Sequence, residues 1–175
     1  MDEQNVPSTV SKLDSLQCRS LDRTGVERTR PRKSRRNDPG VYIIKLKLPA
    51  FGLPVGCVVY VGKGDDVLKR LNQELGKENG PATFFRSIGV MLEKTVIPGS
   101  GNNFKFCEHQ EIVDWLDEHI EYSIKRCDPR NEEMRLIKKH KPTFNIIHNS
   151  KYCYPTLLEL RKKARAIAMG TNTAP

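Results

Sequence analysis

Hydrophobic positions along the chain fall into two rhythms. VYIIKLKL (41–48) and CVVYVG (57–62) are rich in β-branched and aromatic residues. Asp38-Pro39-Gly40 precedes the first run and Gly62-Lys63-Gly64 closes the second, which predicts two strands. The link PAFGLPVG (49–56) contains two prolines and two glycines, so the strands are expected to form a hairpin with a long, bent connection. Side chains alternate across a strand, which puts Tyr42 with Ile44 on one face and Tyr60 with Val58 on one face of the partner. In a suitable register the two tyrosines are neighbours.

After Gly64 the period becomes helical. Asp65 or Asp66 is placed to cap a helix whose apolar stripe is Leu68, Leu71 and Leu75, and Gly76 is its expected stop. Arg70 lies beside that stripe, able to point back over the end of the sheet. PATFFRSIGVMLE (81–93) predicts a mostly buried helix and VIPGSGNNFKF (96–106) a loop. A helix over 108–118 gathers Ile112, Val113 and Leu116, with Trp115 as core beside them. IEYSIKRC (120–127) alternates as a third strand does, and Asp128-Pro129 supplies a cap and first-turn proline for RNEEMRLIKKH. YPTLLELRKKARAIAM (154–169) reads as an amphipathic basic helix with Leu157, Leu158, Leu160, Ala164 and Ile167 for docking.

Composition narrows the class. The chain has 175 residues, 37% of them hydrophobic, which suits one domain plus tails. No stretch approaches the roughly 18 to 20 apolar residues of a membrane span, so a membrane protein of that kind is excluded. The start MDEQNVPST carries acid where a secretory signal carries base, so secretion by that route is not expected. Five cysteines (18, 57, 107, 127 and 153) form an odd set without a CxxC pair, which reads as reduced thiols in a cytoplasmic protein. Cys107 and His109 form a C-x-H with no second pair at metal-ligand spacing, and no metal site is assigned there.

The net charge of +9 is unevenly spread. Residues 1–37 hold 9 basic and 5 acidic side chains, residues 38–150 hold 16 and 15, and residues 151–175 hold 5 and 1, so the two ends supply +8. Within the first segment RSLDRTGVERTRPRKSRR (19–36) has too little apolar surface to fold alone and is expected to be a mobile basic arm. The domain organisation expected is therefore an arm over 1–37, a folded domain over 38–150, and a basic helix and tail over 151–175. Such basic ends suit phosphate backbones, because each neutralised phosphate releases counterion. A solubilising tail with no partner explains the arm alone equally well.

Gly40-Val41-Tyr42 and Tyr60-Val61-Gly62 on one hairpin, with Arg70 eight residues after Gly62, resemble the GIY-YIG nuclease family. The later stretch extends the resemblance: Glu133-Met134-Arg135-Leu136-Ile137-Lys138, then Pro142 and Asn145, is similar to the family's helix glutamate, L-I-K step, proline and closing asparagine. No single triplet is specific, and their order and spacing carry the likeness over residues 40 to about 149. The resemblance implies an α/β (α+β) domain, a three-stranded antiparallel sheet flanked by helices. It implies hydrolysis of phosphodiester bonds in DNA with one divalent metal, Mg²⁺ or Mn²⁺.

The residue types suit that chemistry, which needs an activated water, an electrophile for developing charge and help for the leaving oxygen. By the resemblance Glu133 is the metal ligand, a hard oxygen donor whose ion completes its shell with water and substrate phosphate. Glu132, its neighbour, points about 100° away round the helix. Arg70 would place a permanent planar charge on the phosphate. Tyr42 resembles the family tyrosine proposed to take the proton from water, a role requiring nearby positive charge to lower a phenol pKa of about 10. Tyr60 would position water or phosphate, Lys63 would add positive field, and Asn145 would brace the site.

Three features depart from the simplest family pattern. Seventeen residues separate Tyr42 from Tyr60, Glu74 stands four after Arg70 where members often have His or Tyr, and the block from Phe84 to Phe106 is extra to a minimal domain. The missing group at Glu74 motivates an alternative, a nucleic-acid-binding module that keeps the fold without the chemistry. The set Tyr42, Tyr60, Arg70, Glu133 and Asn145 argues against it, since a pure binder does not need them together. Restriction, repair and mobile-element or phage roles are all open to such a domain.

Overall fold

The computed structural model describes residues 17–19, 38–80, 82–100, 103–149 and 151–171. Most of the expected basic arm thus lies outside the described residues. Three of its residues do not: β1 (Gln17–Arg19) pairs antiparallel with a later strand and extends the sheet. The three antiparallel strands expected from the sequence are β2 (Gly40–Leu46), β3 (Val58–Gly64) and β6 (Ile120–Arg126). The spatial order is β1-β6-β2-β3, so the hairpin's second strand lies at one edge. A bulge between Ile44 and Lys45 bends β2 into the long connection.

Both faces of the hairpin are covered, which is why its strands read as nearly continuous apolar runs. Tyr42, Ile44, Leu46 and Tyr60 join the larger core, with Leu71, Phe84, Ile88, Phe144 and Leu157. Val41, Ile43 and Val61 point the other way, onto Leu136 and Ile137 of α4 (Pro129–His140). That helix begins as expected, with Asp128 accepting from the Arg130 amide and Pro129 in the first turn. Asp38 binds the Arg126 Nε through both carboxylate oxygens (2.9 and 2.8 Å), fastening the start of β2 to the end of β6.

Other expectations need correction. α1 (Val67–Glu74) is capped by Asp66, which accepts from the Lys69 amide at 3.0 Å, but Leu68 faces solvent and Val67 takes its place in the core. α2 (Thr83–Met91) is the expected buried helix. The stretch after it is not a plain loop: β4 (Val96–Pro98) and β5 (Phe104–Phe106) pair as a small hairpin, since Phe104 and Phe106 bury one face against the core. α3 (His109–His119) buries Ile112, Val113 and Leu116. α5 (Leu157–Ala168) docks on α2 through Leu157, Arg161 and Ala164, while Leu158 and Ile167 remain exposed. Among the described residues no helix is long and apolar enough to cross a membrane.

Candidate active site

The hairpin register decides where the tyrosines go. Tyr42 pairs with Gly62 and Ile44 with Tyr60, so the two rings sit diagonally on one face with centroids 6.2 Å apart. Gly62 leaves the space for this arrangement: a Cβ there would overlap the Tyr42 hydroxyl and Cζ. Gly64 does the same for Arg70, whose Cβ would lie 2.7 Å from an added Cβ. Gly40 admits the β6 backbone, since a side chain there would strike the Lys125 carbonyl. The glycines that bound both triplets thus answer to packing around the tyrosines and the sheet.

Tyr42 is 1% exposed, and its hydroxyl has no hydrogen bond of full geometry among the described residues. The Arg70 guanidinium lies near enough to act on it as charge and donor. Even so, burial holds the Tyr42 phenol well above its ordinary value, and the charge of Glu74 pushes it further. Tyr60 is shifted upward for the same two reasons, with Glu133 adding to the effect. Both phenols therefore keep their protons in the free protein.

Glu74 stands where the family pattern often has His or Tyr. It is fully buried. Its Oε1 accepts from Arg70 Nη2 and from the Tyr60 hydroxyl (3.4 Å), and its Oε2 accepts from the Phe84 amide at 2.7 Å, in the first turn of α2. Ala82, at the N-cap of α2, has no side chain able to cap it, so Glu74 fills that role from another helix. Burial pushes the Glu74 carboxyl up, while Arg70 and the Phe84 amide pull it down. Burial also works against the charge on Arg70, but Glu74 and the tyrosines outweigh it. The signal available in sequence was position: residue 74 shares the inward face of α1 with Val67 and Leu71, where a solvated glutamate does not belong.

A second pair lies at the end of β3. Lys63 Nζ is 2.9 Å from Glu133 Oε2, and the Glu133 side chain is only 15% exposed. The charge of Glu133 reaches Tyr60, which links this pair to the tyrosine and arginine cluster. Glu132 turns aside to bind Lys125 and Arg135, whose donors pull its carboxyl down to about 2. Asn145 completes the frame: its Nδ2 donates to the Val61 carbonyl (2.7 Å) and its Oδ1 accepts from the Val61 amide (2.8 Å). With the Phe144 amide donating to the Val59 carbonyl (2.9 Å), the Val59 carbonyl and both backbone groups of Val61 are satisfied on the edge of β3, shortly before Lys63.

No curated protein and no solved structure matches the chain significantly. The family model of the GIY-YIG catalytic domain matches residues 56–166, from the start of β3 through most of α5. That span includes Tyr60, Arg70, Glu133 and Asn145, and it takes in α2 and the β4–β5 hairpin as well. It covers well over half of the sequence and supports a nuclease function in general, and we conclude that the chain belongs to the GIY-YIG catalytic domain family.

Proposed function

We propose that the protein is a divalent-metal-dependent endonuclease of the cytoplasm, using Mg²⁺ or Mn²⁺ to hydrolyse phosphodiester bonds in DNA. The observation that carries this reading is the Tyr42 hydroxyl: buried, without a full hydrogen bond, and facing the permanently charged Arg70. A buried polar atom left in this state is costly in a purely structural site and useful where water or phosphate completes it.

Arg70 binds the phosphate and holds positive charge where negative charge builds, with Glu74 and Gln73 fixing the orientation of its guanidinium. The Tyr42 hydroxyl orients the attacking water, and once positive charge arriving with the substrate complex has driven its own proton to solvent, the phenolate takes the proton of that water. Tyr60 is held by Glu74 and lines the same face. Lys63 adds positive field beside Glu133. Asn145 keeps β3 in register beneath them.

The donor set fits a hydrated divalent ion. Among the described residues no group of three His, Cys, Asp or Glu side chains is placed to enclose a metal. A single carboxylate, Glu133, is the arrangement that suits Mg²⁺, which keeps several waters and takes phosphate oxygens as ligands. Held by Glu133, the ion would supply charge stabilisation at the leaving oxygen.

The test is cleavage of supercoiled plasmid with Mg²⁺ or Mn²⁺, against EDTA and Glu133→Ala. Nicking or linearisation that both controls abolish supports the reading. Salt-sensitive binding with plasmid, branched, single-stranded and RNA substrates all left intact would replace it with a binding module. The basic N-terminal segment and α5 are proposed to grip the DNA backbone.

A further inference from the structure

α5 directs one of its basic side chains inward. Arg161 is 8% exposed, and its Nη1 donates to the Ser87 hydroxyl of α2 at a long 3.4 Å. Among the described residues no carboxylate forms an ion pair with it. Among the same residues Arg86, adjacent to Ser87, and Arg165, one helical turn beyond Arg161, have no carboxylate partner either. Arg86 donates to the Asn103 amide oxygen (2.9 Å).

These guanidinium groups feel one another. Burial and then repulsion from Arg165 and Arg86 hold Arg161 below the ordinary arginine value. Burial likewise lowers Arg86, with repulsion from Arg165 and Arg70 opposing the pull of Glu74. Glu74 is already bound by Arg70, Tyr60 and the Phe84 amide. A guanidinium does not escape desolvation by losing its proton, so positive charge on two packed helices with no carboxylate ion-paired to it among the described residues is a place that an anion completes.

The class of anion follows from the neighbourhood, and this step rests on the nuclease reading proposed above. Arg70 pairs with Glu74, Glu74 accepts from the Phe84 amide two residues before Arg86, and Arg161 reaches Ser87, so the arginines run from α1 across α2 to α5. A nucleic-acid strand presents a phosphate about every 3.4 Å of helix axis, and guanidinium forks pair with phosphate oxygens two at a time. We infer that Arg86, Arg161 and Arg165 form a second phosphate subsite, which holds a backbone phosphate of the strand flanking the one at Arg70. The helix that opens the extra block 84–106 thereby contributes to substrate grip.

Arg86 and Arg165 are accessible enough to replace without opening the core, so the test uses Arg86→Gln/Arg165→Gln, with Lys138→Gln/Lys139→Gln as an equal charge loss on the exposed surface of α4. A fluorescein-labelled DNA duplex is titrated in EDTA over a series of KCl concentrations, and thermal melting is recorded with and without inorganic phosphate. The arginine variant is expected to bind with a log–log salt slope shallower by about 1, as for one lost phosphate contact. Without phosphate it melts no lower than wild type, because repulsion has been removed. Phosphate raises the melting temperature of wild type and the lysine variant and leaves the arginine variant unmoved. An unchanged salt slope would overturn the subsite. Phosphate-dependent melting lost with the duplex slope intact would make it a free-anion site and equally overturn it. The expected slope change in the arginine variant, together with wild type that cuts nothing with Mg²⁺, would sink the nuclease reading and leave the subsite standing.

Discussion

Tyr42 lies across the position that a side chain on Gly62 would occupy. The two are cross-strand partners, and an added Cβ would overlap the Tyr42 hydroxyl. Gly62→Ala is therefore expected to displace the Tyr42 ring, costing about 1–3 kcal/mol as overpacking does. Cleavage should fall by about 10²-fold or more, since a shift of roughly 1 Å at a reacting group has that effect. Denaturant unfolding and single-turnover plasmid cleavage check the two parts, and a folded variant that cuts at the wild-type rate would remove Tyr42 from the chemistry.

The Glu74 carboxylate raises both phenols, and Glu74→Gln separates its charge from its acceptor role. The amide oxygen still accepts from the Phe84 amide. With the negative charge gone, Tyr42 and Tyr60 should titrate at lower pH than in wild type, although burial keeps them above an ordinary phenol. Stability should drop by about 1–3 kcal/mol, less than for a fully buried pair because Arg70 keeps 24% of its side chain in water. Tyrosinate absorbance against pH is the direct readout, and superimposable titrations would show that the charge of Glu74 does not govern the phenols.

That residue also marks where sequence stops being informative. Nearly continuous apolar runs rich in β-branched and aromatic residues over 41–46 and 58–61 make β2 and β3 legible, because each face meets a different core and both cores demand apolar side chains. The caps at Asp66 and Asp128 are legible because a side-chain oxygen satisfying a helix amide is a local event. Glu74 is different: its place on the inward face of α1 is a local pattern, but its partners, the Tyr60 hydroxyl and the Phe84 amide, come from elements that only the tertiary fold brings to it. The β4–β5 hairpin escapes notice for a related reason, since strands of three residues around a Gly- and Asn-rich turn carry too little pattern to be seen without their tertiary partner.

Glu132 and Glu133 are adjacent and are expected to behave oppositely. Glu133→Gln should abolish cleavage with little change in melting, whereas Glu132→Gln should cut normally and melt lower at neutral pH. Arg135 and Lys125 hold the Glu132 carboxyl at about 2 in the folded chain, against 4.5 for an unperturbed group. A depressed folded value means the stabilisation is present above about 4.5 and is lost as the pH falls toward about 2. The exposed partners keep its size near 1 kcal/mol at most. Melting curves of wild type and Glu132→Gln should thus converge in acid, and a gap that persists at low pH would contradict the assignment.

Asn145 holds β3 by imitating a neighbouring strand with one side chain. Its amide meets the Val61 N–H and C=O together, and both residues are buried. Asn145→Ala leaves a donor and an acceptor unsatisfied at the strand edge beside Tyr60, Gly62 and Lys63, at a cost of about 1–3 kcal/mol for each buried group left unpaired. Asn145→Asp keeps the acceptor for the Val61 amide but sets a carboxylate oxygen against the Val61 carbonyl. It should be no more stable than the alanine variant, although it is closer to asparagine in shape. If Asn145 braces the strand without touching substrate, both variants weaken hydrogen-exchange protection at Val61 and lower kcat together, while KM moves little. An aspartate variant as stable and as well protected as wild type would show that the pairing to Val61 does not hold the site.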